Sequence, residues 1–268
     1  TMNKEFSMLK YASTSKLDSI KQLENEKLNI LNSNIGIAHT RWATHGAKTN
    51  ENSHPHISYD NKISLVHNGI IENYSELKIM LQNEGIEFKS HTDTEVIVNL
   101  LAFNNKDSDN FVDTIKKTLK MMSGTWGLAI MDLDNPDKLF CVRHGSPLLV
   151  GQMDDMVIVS SEQSGFHGLV NNYFILDSND ICIITKNDNK IHIDTNKKYD
   201  LYDTLSTNFD LSPTPYPYWT IKEINEQFDA SLRAISLGGR LLEDDKVNLG
   251  GLEENKEVLT RIDNLIFL

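Results

Sequence analysis

Cysteine is scarce in this sequence, with Cys141 and Cys182 the only two among 268 residues. Two thiols cannot build a disulfide framework or a four-cysteine zinc site, and so few point to a reducing, cytoplasmic setting. Long apolar runs are missing too. No stretch approaches the 18 residues that argue for a membrane helix. The opening Thr1-Met2-Asn3-Lys4-Glu5 has neither the basic nor the apolar region of a signal peptide. Positive charge is short, with 26 Lys and Arg against 38 Asp and Glu, a formal net charge of −12. A surface that acidic repels phosphate backbones and anionic lipid, which argues against nucleic acid and membrane surfaces as partners. Proline is sparse as well, and three of the six prolines crowd into 213–217. What is present is ample for a core. Hydrophobic residues make up 39% of the chain, enough for one large domain or one domain plus part of another.

The periodicity changes along the chain. Residues 5–11 (EFSMLKY) alternate as a strand would, and Ser13, Thr14 or Ser15 can cap a helix carrying Leu17, Ile20 and Leu23. Residues 35–45 (IGIAHTRWATH) read as a strand. The apolar run 63–71 (ISLVHNGII) is interrupted by Asn68-Gly69. Asn73 with Glu76, then Gly85, brackets a helix over 73–84. Thr92 with Glu95 opens an apolar helix (VIVNLLAF), and Phe111, Ile115, Leu119 and Met122 mark another that ends at Gly124. From 125 onward, short apolar runs separated by DNPD, MDD, SND and NDN predict an antiparallel meander, with helices grouped apart from strands in a layered α+β domain. The proline-rich 213–218 reads as a linker between a domain over 1–212 and the start of another over 219–268. In that last part Ile221, Ile224, Phe228, Leu232 and Ile235 share a helical face. A shorter helix at 253–264 and a terminal LIFL follow.

Two groupings can carry chemistry. Six of the nine histidines (39, 45, 54, 56, 67 and 91) lie between residues 39 and 91. They are either metal ligands or hydrogen-bonding strand and loop residues. No HExxH pair or nearby cysteine supports the metal. The second grouping is Arg41, Asn68-Gly69 and Asp93. Arg41 offers a fork for a carboxylate, and Asp93 offers a charge for an ammonium. A free α-amino acid needs both. The Asn68 amide N–H₂ and the Gly69 backbone N–H can hold a developing oxyanion. Each residue also has a plainer reading: Asn-Gly as a hairpin turn, Asp93 as a helix-terminus charge, Arg41 as a surface cation. No nucleophile is apparent. Cys141 and Cys182 sit in apolar strand patterns typical of inert thiols, and Ser146 lacks the G-x-S-x-G elbow.

The run 36–46 (GIAHTRWATHG) resembles the glutamine-binding loop of the glucosamine-6-phosphate synthase family (glutamine–fructose-6-phosphate aminotransferases) among class II glutamine amidotransferases. Asn52-Ser53-His54-Pro55-His56, Val66-His67-Asn68-Gly69-Ile70-Ile71-Glu72-Asn73, Thr92-Asp93-Thr94-Glu95, Gly145-Ser146-Pro147-Leu148 and Lys222-Glu223-Ile224-Asn225-Glu226-Gln227 are similar to its later motifs, in order. The resemblance spans roughly residues 35–268. It implies a four-layer αββα sandwich of the N-terminal-nucleophile hydrolase type. By motif, Arg41 would bind the glutamine α-carboxylate and Asp93 its α-ammonium, Thr44 and His45 would line the same loop, and Asn68 and Gly69 would form the oxyanion hole. Trp42 would match the gate on the ammonia path. No cofactor or metal is implied.

The same resemblance implies transfer of the amide nitrogen of L-glutamine to fructose 6-phosphate, giving glutamate and glucosamine 6-phosphate, in a homodimer. In that family the nucleophile is a cysteine at the mature N-terminus, activated through its own α-amino group. This sequence opens at Thr1, and residues 5–34 align with a mid-domain strand and helix of the family. The expectation is therefore a glutaminase domain without its nucleophile, first strand and first helix, inactive alone, with most of the isomerase domain absent. The alternative is an inactive module that binds glutamine or glutamate, or a regulatory one.

Overall fold

The structure, a computed structural model, describes residues 5–14, 18–26, 33–41, 47–106, 108–153, 155–166, 168–187, 190–204, 213–234, 241–243, 246–247 and 261. The chain divides into two compact units, Thr1–Thr207 and Asn208–Leu268, and the 213–218 stretch falls inside the second.

In the first unit, a six-stranded antiparallel sheet has the order β1-β2-β3-β4-β8-β9, formed by β1 (His56–Ile57), β2 (Ile63–Ile71), β3 (Gly124–Asp132), β4 (Lys138–His144), β8 (Ile181–Asn187) and β9 (Lys190–Asp194). A four-stranded antiparallel sheet has the order β10-β7-β5-β6, from β5 (Leu149–Gln152), β6 (Val157–Ser160), β7 (Asn172–Ile175) and β10 (Tyr202–Asp203). The strands after residue 125 do not form one meander, since β4 neighbours β8 and β5 neighbours β7 as the chain passes from the larger sheet to the smaller one and back. Their antiparallel pairing is as the short runs predict. Hairpin and short-loop connections explain it, because antiparallel neighbours need no crossover helix.

The two-residue period of the strands builds the layers. On β2, Ile63, Leu65 and Ile71 face one core, together with Leu128 and Ile130 of β3 and Phe140 and Val142 of β4. Three helices cover that face: α2 (Tyr74–Asn83), α3 (Asp93–Asn105) and α4 (Phe111–Met121). The alternate residues Val66, Ala129, Cys141, Cys182 and Ile184 pack instead against Leu148, Val150, Phe174 and Leu176, so the two sheets lie face to face. On the outer side of the smaller sheet, Leu149 and Tyr173 are buried with Phe166 and Val170, from a 3₁₀ turn at Gln163–Phe166 and the loop after it. The architecture is α+β, with antiparallel sheets packed between outer elements, as the sequence resemblance implies.

Several local expectations are corrected. Residues 5–11 hold a single β-bridge at Phe6 and no strand, and residues 35–41 have no regular structure. Residues 42–46 lie outside the described residues. The first helix, α1 (Ser19–Glu26), is capped by Asp18, whose Oδ1 accepts from the Ile20 N–H at 2.9 Å, while Ser13 Oγ accepts from the Ser19 N–H at 3.0 Å. Asn73 makes no side-chain cap on α2. Its amide is taken by distant backbone, accepting from Ser123 N–H at 2.9 Å and donating to the Met121 carbonyl at 2.8 Å. Asn68-Gly69 is no hairpin turn. β2 runs through it, paired residue for residue with β3 from Ile63 opposite Asp132 to Ile71 opposite Gly124.

In the second unit, α5 (Trp219–Ala234) places the Lys222 ammonium 5.1 Å from the Trp219 ring and 3.9 Å from Glu226 Oε1. β11 (Leu241–Glu243) pairs with β12 (Lys246–Val247). The helix expected at 253–264 and the terminal LIFL fall outside the described residues, apart from Arg261. Among the described residues, no helix is long and apolar enough to cross a membrane.

Candidate active site

The end of β2 and the start of α3 meet in a cleft of about 270 Å³, lined by His39, Thr40, Arg41, His54, His67, Asn68, Gly69, Thr92, Asp93 and Thr94. Four of the seven residues singled out in the sequence (Arg41, Asn68, Gly69 and Asp93) are thus brought together. The other three, Trp42, Thr44 and His45, lie outside the described residues.

Local chemistry explains the convergence. β1 pairs with β2 only opposite Leu65 and Ser64, so the rest of that edge of β2 has no strand neighbour among the described residues. The Ile71 N–H beyond it donates to Asp93 Oδ2 at 2.9 Å. Asp93 is the first residue of α3, where a negative charge suits the helix N-terminus. Thr92 caps that helix by accepting from the Glu95 N–H at 3.3 Å. Glu95 does not close a reciprocal capping box. It reaches further back, accepting from the Lys89 and Ser90 N–H groups at 2.8 and 2.6 Å. One Asp93 oxygen is therefore anchored to the sheet, and the carboxylate stays only 7% exposed.

Arg41 donates from Nη1 to the Ala47 carbonyl at 3.3 Å. The same carbonyl accepts from Asn52 Nδ2 at 2.9 Å, and Asn52 Oδ1 accepts from the His91 N–H at 3.0 Å. Asn52 is buried and ties the loop supporting Arg41 to the turn that opens α3.

Gly69 sits at φ +135° with its backbone against β3, and an added Cβ would stand 2.1 Å from the Thr125 carbonyl oxygen. Only glycine fits there. Asn68 points the other way, and its Oδ1 lies 2.6 Å from His39 Nε2.

Histidines form the cleft wall, a role that residue spacing did not reveal. The His39 and His54 rings lie 4.0 Å apart at 34°, and His54 meets His56 edge-on at 5.1 Å. His54 Nε2 lies 3.0 Å from Thr94 Oγ1, His67 Nδ1 lies 3.1 Å from the same hydroxyl, and His67 Nε2 lies 3.3 Å from the Thr125 carbonyl. A carbonyl only accepts, so His67 carries its proton on Nε2 and Thr94 donates to His67 Nδ1. His54 must then donate to Thr94. The density of histidines between 39 and 91 was the available signal, and threonine hydroxyls are the partners that spacing could not supply.

Burial keeps these rings neutral. It is the largest influence pushing His39 below the ordinary imidazole value, with Asn68 opposing and Arg41 adding to the depression. His54 is pushed far lower by burial and by its histidine neighbours. His56 falls to about 3 through burial, Lys10 and Arg41. In His67 burial outweighs the opposing pull of Asp93. The unfolded chain therefore takes up protons first as pH drops below about 6.5, so stability falls with pH from there, and the His56 share of the loss levels off near pH 3, where that ring protonates in the fold. Between pH 6.5 and 5 the loss comes to roughly 2 kcal/mol for each histidine held neutral. Urea unfolding at half-unit pH steps reads it directly, and a flat profile over that range would contradict the burial argument.

Neither cysteine reaches the cleft. Cys141 and Cys182 face each other across β4 and β8 in the inter-sheet core. Burial raises both thiols, Cys182 to about 12 and Cys141 well above its usual value, so neither is a nucleophile at neutral pH.

Residues 39–168, which contain this whole cleft, match the glutamine amidotransferase domain family. These residues are a glutamine amidotransferase domain. The chain is similar to proteins named glutamine–fructose-6-phosphate aminotransferase [isomerizing]. The relative from Francisella tularensis is 38% identical over 243 residues, covering 89% of this chain and 39% of the relative. The relative from Thermococcus kodakarensis is 40% identical over 207 residues, covering 75% and 34%. The one from Fusobacterium nucleatum is 39% identical over 213 residues, covering 77% and 35%. This chain thus spans between about a third and two fifths of the length of such relatives. Among solved structures, a glutamine phosphoribosylpyrophosphate amidotransferase from B. subtilis is similar at 28% identity, with TM-score 0.47 over 58% of this chain and 33% of that one.

Proposed function

We propose that this chain is the glutamine-hydrolysing part of an enzyme that transfers the amide nitrogen of L-glutamine to fructose 6-phosphate, giving glucosamine 6-phosphate and glutamate. The observation that carries the reading is the single cleft holding Arg41, Asp93, Asn68 and Gly69. One fixed cation and one fixed anion flank a pair of hydrogen-bond donors, the arrangement a zwitterion with a reactive amide requires. The volume of about 270 Å³ is near the lower end for small-molecule sites and suits an amino acid rather than a nucleotide.

In this reading Arg41 holds the α-carboxylate and Asp93 the α-ammonium. Trp42, Thr44 and His45 complete the glutamine loop by motif. A cysteine thiolate at a mature N-terminus attacks the amide carbon, its α-amino group having taken the thiol proton. Asn68 N–H₂ and Gly69 N–H stabilise the oxyanion. Its collapse expels ammonia, the nitrogen taking up a proton, and leaves a thioester. Water then cleaves the thioester to glutamate and regenerates the thiol. The names of the relatives support fructose 6-phosphate as the acceptor. The natural full-length protein should release glutamate from L-glutamine and form glucosamine 6-phosphate when fructose 6-phosphate is added. Absence of glutamate release would overturn the reading, while release without the sugar product would overturn only the acceptor.

A further inference from the structure

An oxyanion donor works only if its N–H groups point at the developing charge before it forms. A free asparagine amide can rotate and present its oxygen there instead. In this structure that freedom is removed. The Asn68 Oδ1 lies 2.6 Å from His39 Nε2. An amide oxygen only accepts, so His39 carries its proton on Nε2 and donates to Asn68. The Asn68 N–H₂ then lies on the side away from the ring and finds no acceptor among the described residues, although Asn68 lines the cleft.

His39 is itself held. Its ring rests against His54 at 4.0 Å, and His54 is tied through Thr94 and His67 to the Thr125 carbonyl of β3. The Nδ1 atoms of His39 and His54 are buried without hydrogen-bond partners. Among the described residues the bond to Asn68 is therefore the one hydrogen bond of the His39 ring, and the bond to Thr94 the one of the His54 ring.

We propose that His39 is a positioning residue, holding the Asn68 side-chain amide with its N–H₂ turned into the cleft, and that His54 with Thr94 and His67 keeps the His39 ring in the orientation that does so. The proposal rests on the glutaminase reading given above. It separates two parts of one site. Arg41 and Asp93 set how tightly glutamine binds, and His39 sets how well the donor meets the transition state.

The test uses the natural full-length protein and glutamate release from L-glutamine. Glutamine at position 39 keeps an N–H donor near the place of Nε2. Asparagine, equally polar and one carbon shorter, puts its donor near Nδ1 and cannot reach Asn68. His39→Asn is expected to lower kcat on the order of 30-fold with KM within about threefold, and His39→Gln to stay within about fivefold of wild-type kcat. In an Asn68→Ala background, His39→Asn should change kcat by less than about twofold, because nothing is left to position.

Equal losses in both variants, a loss confined to KM, or an undiminished loss in the Asn68→Ala background would each overturn the proposal. A wild-type protein that releases no glutamate would overturn the glutaminase reading, and this proposal with it. A soluble, active wild type with silent His39 variants would overturn the proposal alone.

Discussion

Asp93→Asn lowers glutamine-dependent kcat/KM by on the order of a hundredfold or more, without disturbing the fold. The substitution isolates charge from geometry. An asparagine oxygen still accepts from the Ile71 N–H that now bonds Asp93 Oδ2 at 2.9 Å, so the junction between β2 and α3 keeps its hydrogen bond. What disappears is the negative charge proposed to face the α-ammonium. Asp93 is only 7% exposed, so little water is available to replace it. Truncating one member of a desolvated charge pair costs about 2–5 kcal/mol, and about 3 kcal/mol corresponds to the hundredfold effect. In the natural full-length protein, turnover with free ammonia in place of glutamine should stay within about twofold, since ammonia needs no α-ammonium site. Steady-state kinetics with both nitrogen sources separates the outcomes. Unchanged glutamine kinetics would remove Asp93 from the binding site, and a loss with both sources would place the defect outside glutamine binding.

Gly69→Ala has the largest expected effect on stability. An added methyl group meets the Thr125 carbonyl oxygen at 2.1 Å, its carbon at 2.7 Å and His67 Nε2 at 3.0 Å, at a backbone φ of +135°. The first obstacles are backbone atoms of β3, paired with β2 on one side and β4 on the other, and they cannot move aside without opening the ladder. Backbone strain and overpacking together should cost about 3–5 kcal/mol, with Tm falling by roughly 10 °C for a unit of this size. Gly85→Ala is the control. It also has a positive φ, +82°, but nothing within 4 Å of the added methyl, so it should cost only about 1 kcal/mol. Thermal unfolding of the two variants side by side decides whether close packing or conformational strain dominates. Equal shifts would mean that the carbonyl contact relaxes freely.

How much of this the sequence reveals depends on how local the cause is. Thr92 capping the helix that begins at Asp93 is legible because cap and capped N–H lie three residues apart. The antiparallel strands after residue 125 are legible because turn residues and period-two apolar runs are both short-range signals, whereas their division between two sheets is set by distant pairings such as β4 with β8. Asn73 misleads because its amide serves Met121 and Ser123, about fifty residues away, rather than its own helix. Asn68-Gly69 misleads more sharply. The pair favours a tight turn locally, yet nine consecutive pairings with β3 hold it straight. Tertiary pairing outweighs local turn preference here, and the glycine is explained by the approach of Thr125.

The candidate site divides in the same way. That an amino acid requires an arginine, a carboxylate and an oxyanion pair follows from residue chemistry, and family motifs name the positions. That His39 orients Asn68 does not follow from spacing. The chain of contacts runs through residues 39, 54, 67, 94 and 125, and each proton position is fixed only by the next partner. Six histidines in one stretch signal that something is built there. They do not say whether the partner is a metal, a carbonyl or a threonine.

The alternation along β2 has a consequence for how this protein can change over time. His67 and Asn68 are neighbours, yet one serves the helix-side network and the other the opposite face, by the same parity that sends Leu65 into one core and Val66 into the other. Inserting or deleting a single residue between Ile63 and Asn68 would exchange the two sets at a stroke, exporting Ile63 or Leu65 from the core while turning Asn68 away from His39. Catalytic geometry and core burial share one reading frame. Selection on either therefore guards both, and the length of the strand is held fixed.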